Sequence, residues 1–392
     1  MRIEAVHTFE LGCAIDEPFG WSQDFIDRRS LTLVRLDTDS GLSGWGECGA
    51  AGTAHLIHEV LAQRVLGGNP MDRNTLWQRQ FHALYNGGLT GGIGASAISA
   101  LDTACWDLAG KASRLPVHAL LGGALRDRIL VYATGLYYGR PEGDPAVRAR
   151  LHDEVRRYLD QGFLGMKTKV GGLSLSADLH RVAGIRDLVG PDVFLMVDAN
   201  QAYDAAGAIR IGRELRDLAV HWFEEPVNAK DIEAYLRIRQ AVPGLPLAGG
   251  EVLRTRFECL DYVRRQAVDI LQPDVGNVGG ITEQHRVTQL AEAHGVRVHP
   301  HVWGSPVMVA ASLHLASVTP PAATSGTAHP FLQEPVMEYD RTPNPLRDDL
   351  ARHPFRFTDG RVHVPEGPGL GVEINEDAVM RHCFRHQATH LD

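Results

Sequence analysis

The chain has 392 residues, 44% apolar and 22% charged, enough to bury a sizeable core and unlike a disordered, collagenous or coiled-coil sequence. Its 48 acidic and 39 basic residues give a net charge of −9, with no lysine or arginine block to supply the positive field that nucleic acid or an anionic membrane requires. Small molecules are the expected partners. The cysteines Cys13, Cys48, Cys105, Cys259 and Cys383 are scattered, odd in number and free of C-x-x-C pairs, which predicts reduced thiols in a cytoplasmic protein. Glu4 and His7 fall where a leader would need its apolar core, and no run approaches a membrane span, so neither secretion nor insertion is expected.

In chain order, residues 3–11 and 31–37 read as strands, with a glycine-rich hairpin turn in TDSGLSGWGE. Helical stretches follow over 54–66 and 75–85. In GASAISALDTACWDLAGK, Ile98, Leu101, Ala104, Cys105 and Leu108 recur at helical intervals, and Gly110 reads as the stop. From about Ile129 the pattern changes to short apolar runs, each followed by a helical stretch: ILVYATG, GMKTKVG, FLMVDAN, HWFEEPV, PLAGGEV, DILQPDV and VRVHPHV. Their polar ends at Lys169, Asp198, Glu224, Glu251, Asp274 and His301 are spaced 29, 26, 27, 23 and 27 apart. That period is one strand, one crossover helix and two loops, so the strands should be parallel and close into a β/α barrel. The expected domains are an α+β N-terminal capping domain (1–126), the barrel (127–338), and a tail (339–392) that packs back on the cap. The tail carries a hairpin signal, FRFTDGRVHV, turning at Asp359-Gly360, and PPAATSGTAHP (320–330) reads as an exposed loop.

Residues at the C-terminal ends of parallel barrel strands converge on one mouth. Asp198, Glu224 and Glu251 end three consecutive strands, and three adjacent carboxylates call for a hard cation; oxygen-only ligation suits Mg²⁺. Glu225 is the weaker ligand candidate, since strand alternation turns it away. Lys167 and Lys169 share one face of their strand, where the neighbouring metal should depress an amine pKa and make a general base. Lys169, nearer the mouth, would meet substrate carbon and Lys167 substrate oxygen. Asp274 can fix the tautomer of His301, with His299 as the alternative on the same face. Glu334, in LQEPVMEY, is the candidate from the last strand, and nearby Glu338 leaves that register open. Together these groups suit removal of a proton from carbon next to a carboxylate, with bases on two faces permitting proton transfer or β-elimination. A hydrolase using His299 and His301 as Zn²⁺ ligands is the competing chemistry.

ALDTACWDLAGK, PVHALLGG, KTK, VDAN, WFEEP, GGE, QPD and PHVWG, spread over essentially the whole chain, resemble the enolase superfamily, mandelate racemase subgroup. The resemblance implies a modified (β/α)7β barrel of TIM type with an α+β capping domain, an α/β fold. It implies Mg²⁺ on Asp198, Glu224 and Glu251, Lys169 and His301 as acid/base pair, Asp274 orienting His301, Lys167 on the substrate carboxylate and Glu334 on substrate oxygen. IDRRS, LYNGG, PHVWGS, QEPVMEYDRTPNPLR and GPGLGVEI are closest to the galactarolactone and anhydrogalactonate cycloisomerases. A ring-opening cycloisomerase acting on a cyclic acid-sugar derivative is therefore expected, with dehydratase or epimerase as alternatives on the same site. Asn200 stands where many acid-sugar dehydratases of the superfamily carry histidine. Asn200, Trp303, and the lid residues Trp21 and Phe25 (loops 19–25 and 48–55) are the expected substrate contacts, and a homo-oligomer is implied.

Overall fold

The computed structural model describes residues 1–49, 51–139, 145–322 and 329–392; Ala50 of the 48–55 loop and residues 323–328 of the expected exposed loop lie outside them. Strands β1 (Ile3–Gly20), β2 (Phe25–Thr38) and β3 (Ser43–Cys48) form an antiparallel meander, in the register Val6↔Leu36 and Val34↔Gly46. The first two run well beyond the predicted strands because β1 and β2 stay paired past a bulge between Ala14 and Phe19. Helices follow: α1 (Thr53–Leu56), a π-turn at Ile57–Leu61, α2 (Ala62–Val65), α3 (Arg73–Tyr85), α4 (Gly92–Ser113) and α5 (Val117–Leu120).

Helix α4 lies directly on β3, and two glycines make that possible. A Cβ on Gly46 would stand 1.9 Å from Ala100 O, and one on Gly44 2.4 Å from Ala104 O. Gly110 does not stop α4 as predicted. The helix runs on to Ser113 and turns out at Arg114 (φ 57°), while Gly110 is the point where the tail crosses, since a Cβ there would sit 2.5 Å from Gly369 Cα.

The barrel alternates β4 (Arg128–Thr134), α6 (Pro145–Asp160), β5 (Gly165–Lys169), α7 (Leu175–Val189), β6 (Phe194–Asp198), α8 (Ala205–Asp217), β7 (Trp222–Glu224), α9 (Ile232–Ala241), β8 (Leu247–Gly249), α10 (Thr255–Arg264), β9 (Ile270–Leu271), α11 (Gly280–Ala293), β10 (Arg297–Val298), α12 (Pro306–Val318), the short α13 (Pro330–Gln333) and β11 (Met337–Asp340). Strands β4 to β10 pair in sequence, all parallel, and β11 returns beside β4. The β10 and β11 segments meet through Glu338 N–H donating to Pro300 O (3.3 Å). Side-chain caps set where several helices begin: Ser174 accepts from Ala177 N, Asp204 from Gly207 N and Asp231 from Ala234 N.

The tail adds α14 (Pro345–Asp349), β12 (Phe357–Thr358), β13 (Arg361–His363), α15 (Glu376–His382) and β14 (Cys383–His390). It divides between the two halves of the molecule rather than packing wholly on the cap. The β12–β13 hairpin pairs antiparallel with β4 of the barrel, because Val362 belongs to the apolar core under β4; β14 alone extends the capping sheet, beside β1.

Buried hydrogen bonds join cap to barrel. Asp102 on α4 accepts from Thr282 N (2.8 Å) and Thr282 Oγ1 (2.6 Å) in the first turn of α11. Trp77 donates to Gly279 O (2.8 Å), and Arg29 on β2 is ion-paired with Asp340 at the end of β11 (3.0 Å). Among the described residues no helix is long and apolar enough to cross a membrane.

Candidate active site

Strand register assembles the site. Lys169 lies opposite Asp198 and Asp198 opposite Glu224 in adjoining parallel ladders, so residues 29 and 26 apart in sequence become neighbours. Glu251, Asp274 and His301 fall two or three residues beyond short strands, and the last two meet in an isolated parallel bridge. Carboxylate oxygens of Asp198, Glu224 and Glu251 lie within 4.8 Å of one another.

Further buried polar side chains contact this cluster. Lys167 Nζ is 2.5 Å from Glu224 and 2.9 Å from Glu338, and Gln272 Nε2 donates to Glu224 Oε2 (2.9 Å), as does Trp222 Nε1 (3.0 Å). Lys169 Nζ pairs with Asp198 at 2.5 Å. On the other side, His301 Nδ1 is 2.6 Å from Asp274 Oδ2, while its Nε2 approaches Glu251 (3.3 Å) and Glu338 (3.4 Å).

The electrostatics follow from burial and charge. Burial alone would depress the Lys167 amine, but Glu224 and Glu338 hold it well above the usual lysine range. Burial pushes Glu224 up, Asp198 and Glu338 adding to what Lys167 offsets, whereas Lys169 and Lys167 overcome burial to keep Asp198 low. His301 is raised to about 10 against its own burial by Glu251, Glu338 and Asp274. Counted as ionised, the five carboxylates in this ion-pair network outnumber the three cations, Lys167, Lys169 and His301, by two. That surplus, concentrated on clustered oxygens, fits a divalent hard cation held by Asp198, Glu224 and Glu251.

Trp21, Lys169, Asn200, Glu251, Asp274, His301, Trp303 and Glu338 line one cavity of about 470 Å³. Asn200 follows β6 with φ 41°; its carbonyl accepts from Gln23 Nε2 (2.5 Å), and its buried Oδ1 has no hydrogen-bond partner among the described residues. Phe25 is separated from these expected contacts. It lines a second cavity of about 990 Å³, and Tyr137 and Ile26 border both.

Glu334 is corrected. It ends the short α13 before the last strand begins, and Arg361 of the hairpin binds it bidentately (2.7 and 3.1 Å). Glu338, on β11 itself, is the last-strand carboxylate in the site, and Thr134 Oγ1 donates to it (2.6 Å). His299 faces the barrel interior, stacked on Trp222 and accepting from Val336 N (3.1 Å), where burial pushes it well below the usual histidine range. Glu225 turns away from Glu224 and is met by Gln201 Nε2 (3.3 Å). Two further side chains border the site: Tyr137, whose ring lies 5.3 Å from Lys169 Nζ, and Arg29, of the IDRRS segment, 4.2 Å over the Trp303 ring.

A capping domain over parallel strands that deliver three acids, two lysines and an Asp/His pair to one mouth is the architecture of the enolase-type enzymes, and sequence comparison agrees. The profile for the mandelate racemase / muconate lactonizing enzyme N-terminal domain matches residues 3–122, and that for the enolase C-terminal domain-like family matches 150–378. The chain belongs to this family of enolase-superfamily enzymes. It is 37% identical to D-galactarolactone cycloisomerase of Agrobacterium fabrum over 97% of its own length and 98% of that protein's. The 3,6-anhydro-D-galactonate cycloisomerase of Zobellia galactanivorans superposes with a TM-score of 0.85 at 33% identity, covering 98% of this chain and 100% of that one. A racemase from Streptomyces coelicolor A3(2), solved with bound magnesium, gives 0.85 at 30% identity, covering 97% and 99%.

Proposed function

We propose that the protein is a Mg²⁺-dependent cycloisomerase that opens the ring of an acid-sugar lactone or anhydro sugar acid by β-elimination. The observation that carries this reading is the placement of two proton-transfer groups at the two ends of one acid cluster: Lys169 on Asp198 and His301 on Glu251, both lining a single small cavity. The similarity to two proteins named cycloisomerases supports the same reaction class.

Asp198, Glu224 and Glu251 would hold the ion, which when bound supplies positive charge to stabilise the enediolate that forms as the α-proton leaves. The chain's own residues do the rest. One of Lys169 and His301 takes the proton α to the substrate carboxylate. The electron pair breaks the bond from the β-carbon to the ring oxygen, and that oxygen leaves with a proton from the other side chain. The resulting enol takes up a proton at the β-carbon, giving an open 2-keto-3-deoxy acid that is an isomer of the substrate, with no water lost. Asp274 holds the His301 ring through its 2.6 Å contact, and Lys167 presents a buried cation to the carboxylate end. Trp21 and Trp303 are placed to exclude water from the cavity.

The test is a panel of acid sugars and their lactones incubated with protein and Mg²⁺ in D₂O, followed by NMR and mass spectrometry. Ring opening at constant mass apart from deuterium supports the reading. Loss of water assigns a dehydratase, and deuterium incorporation with inversion an epimerase. In the same reading the enzyme works in the cytoplasm as a homo-oligomer, without nucleic-acid or membrane partners.

A further inference from the structure

Glu47 is the penultimate residue of β3 in the cap, far in sequence from every residue of the barrel mouth, yet both its oxygens are spent on the barrel. Ser305 N–H donates to Oε1 (2.9 Å), Ser305 Oγ–H donates to Oε2, and Met308 N–H donates to Oε2 (3.2 Å). Ser305 is the N-cap of α12, its own Oγ accepting from Val307 N (3.2 Å). Glu47 thus caps the cap, satisfying free N–H groups of the first turn of the helix. The carboxylate is 2% exposed.

The loop between His301 and this cap is three residues, Val302, Trp303 and Gly304. It has no slack at the Glu47 end, since a Cβ on Gly304 would lie 2.4 Å from Glu47 Oε1. The same β3 terminus also touches the loop that carries Asp274. A Cβ on Gly276 would be 3.6 Å from Glu47 O and 3.3 Å from Asp274 Oδ1, and Gly276 N–H donates to that oxygen (2.8 Å). One residue of the cap therefore borders both loops that bring Asp274 and His301 together.

We propose that Glu47 is a positioning residue: by clamping the N-terminus of α12 from the capping domain, it fixes the 301–304 loop and so aligns His301 with Asp274. The inference rests on the proposed acid/base role of His301. Lys169 is delivered instead by β5, which pairs with β4 and β6.

The experiment compares wild type with Glu47→Gln and Glu47→Asp in the full-length protein with Mg²⁺, using D-galactarolactone as probe. It reads kcat, KM, Mg²⁺ affinity and the downfield ¹H resonance of the His301 Nδ1 proton, assigned with His301→Asn. A displacement of about 1 Å in a reacting group can cost on the order of 100-fold in rate. The expected result is a 10- to 100-fold fall in kcat with KM and Mg²⁺ affinity within about threefold, accompanied by a shift or broadening of the His301 resonance. Glu47→Asp, which keeps the carboxyl group but shortens the reach, should lie between the other two. An unmoved resonance overturns the proposal, whether activity is unchanged or falls together with KM, metal affinity and melting temperature. Should wild type fail to turn over the probe, the ring-opening reading suffers while the resonance still decides the role of Glu47.

Discussion

The charged side chains in the mouth are held by opposite charges, and those pairings set what the loss of each should do. Lys169→Met removes one of the two proposed proton-transfer groups and leaves the three acids in place. Turnover, and exchange of the substrate α-hydrogen, should fall by roughly 100- to 10,000-fold, the usual contribution of such a group, while Mg²⁺ still binds. Mg²⁺ itself should raise the melting temperature in proportion to log concentration, EDTA should reverse the gain, and Asp198→Asn should abolish it. A sharper comparison separates the two glutamates of the last strand region. Glu338→Gln strips a buried partner from Lys167 and should abolish activity and cost about 3–5 kcal/mol. Glu334→Gln loosens a partly exposed pair with Arg361 and should leave kcat within about twofold, a surface pair contributing at most ~1 kcal/mol. Equal losses in a side-by-side assay would overturn the assignment of Glu338.

At the scale of elements, the site was readable wherever strand register was the controlling fact. Lys169, Asp198 and Glu224 end consecutive five- and three-residue strands in direct lateral register, so a regular sequence interval became spatial adjacency. The interval failed at Glu334 because α13 is inserted before β11, displacing the strand start to Met337, a shift that no periodicity announces. The two residues expected to form a lid part company: Trp21 lies in a loop, Phe25 begins β2 four residues later, and they border different cavities. Glu47 gave no signal at all, since its partners are more than 250 residues away and its own strand reads as an ordinary hairpin arm. What the glycines of that arm do is testable. Gly46→Ala places a methyl 1.9 Å from Ala100 O, so β3 must lift from α4. Overpacking of this kind typically costs 1–3 kcal/mol, and because β3 also carries Glu47, activity should fall before the fold is lost. Chemical denaturation and kinetics on the same preparation check both; an unchanged midpoint would mean the sheet and helix have room the structure denies.

For the whole molecule, the seam between cap and barrel carries two fully buried carboxyls at helix N-termini, and both titrate near neutrality. Burial pushes Glu47 up to about 7 despite its bonds to Ser305 and Met308, and Asp102 to about 7 despite those to Thr282. The sign follows from proton counting. Between the ordinary carboxylate range and pH 7, the unfolded chain has released these protons while the folded chain retains them, so the folded state loses ground as pH rises through that window. Their contribution is complete at low pH, declines from about pH 4, and is gone above about 7. Other groups add slopes of their own, so the informative quantity is a difference between proteins. Asp102→Asn cannot ionise and can still accept from Thr282 N through its amide oxygen; it should start less stable at pH 5, having lost the matched hydrogen bonds, and converge on wild type as pH rises to 8. Melting curves at three pH values with Mg²⁺ held constant measure that convergence, and parallel lines for the two proteins would show that Asp102 is ionised in the folded state throughout.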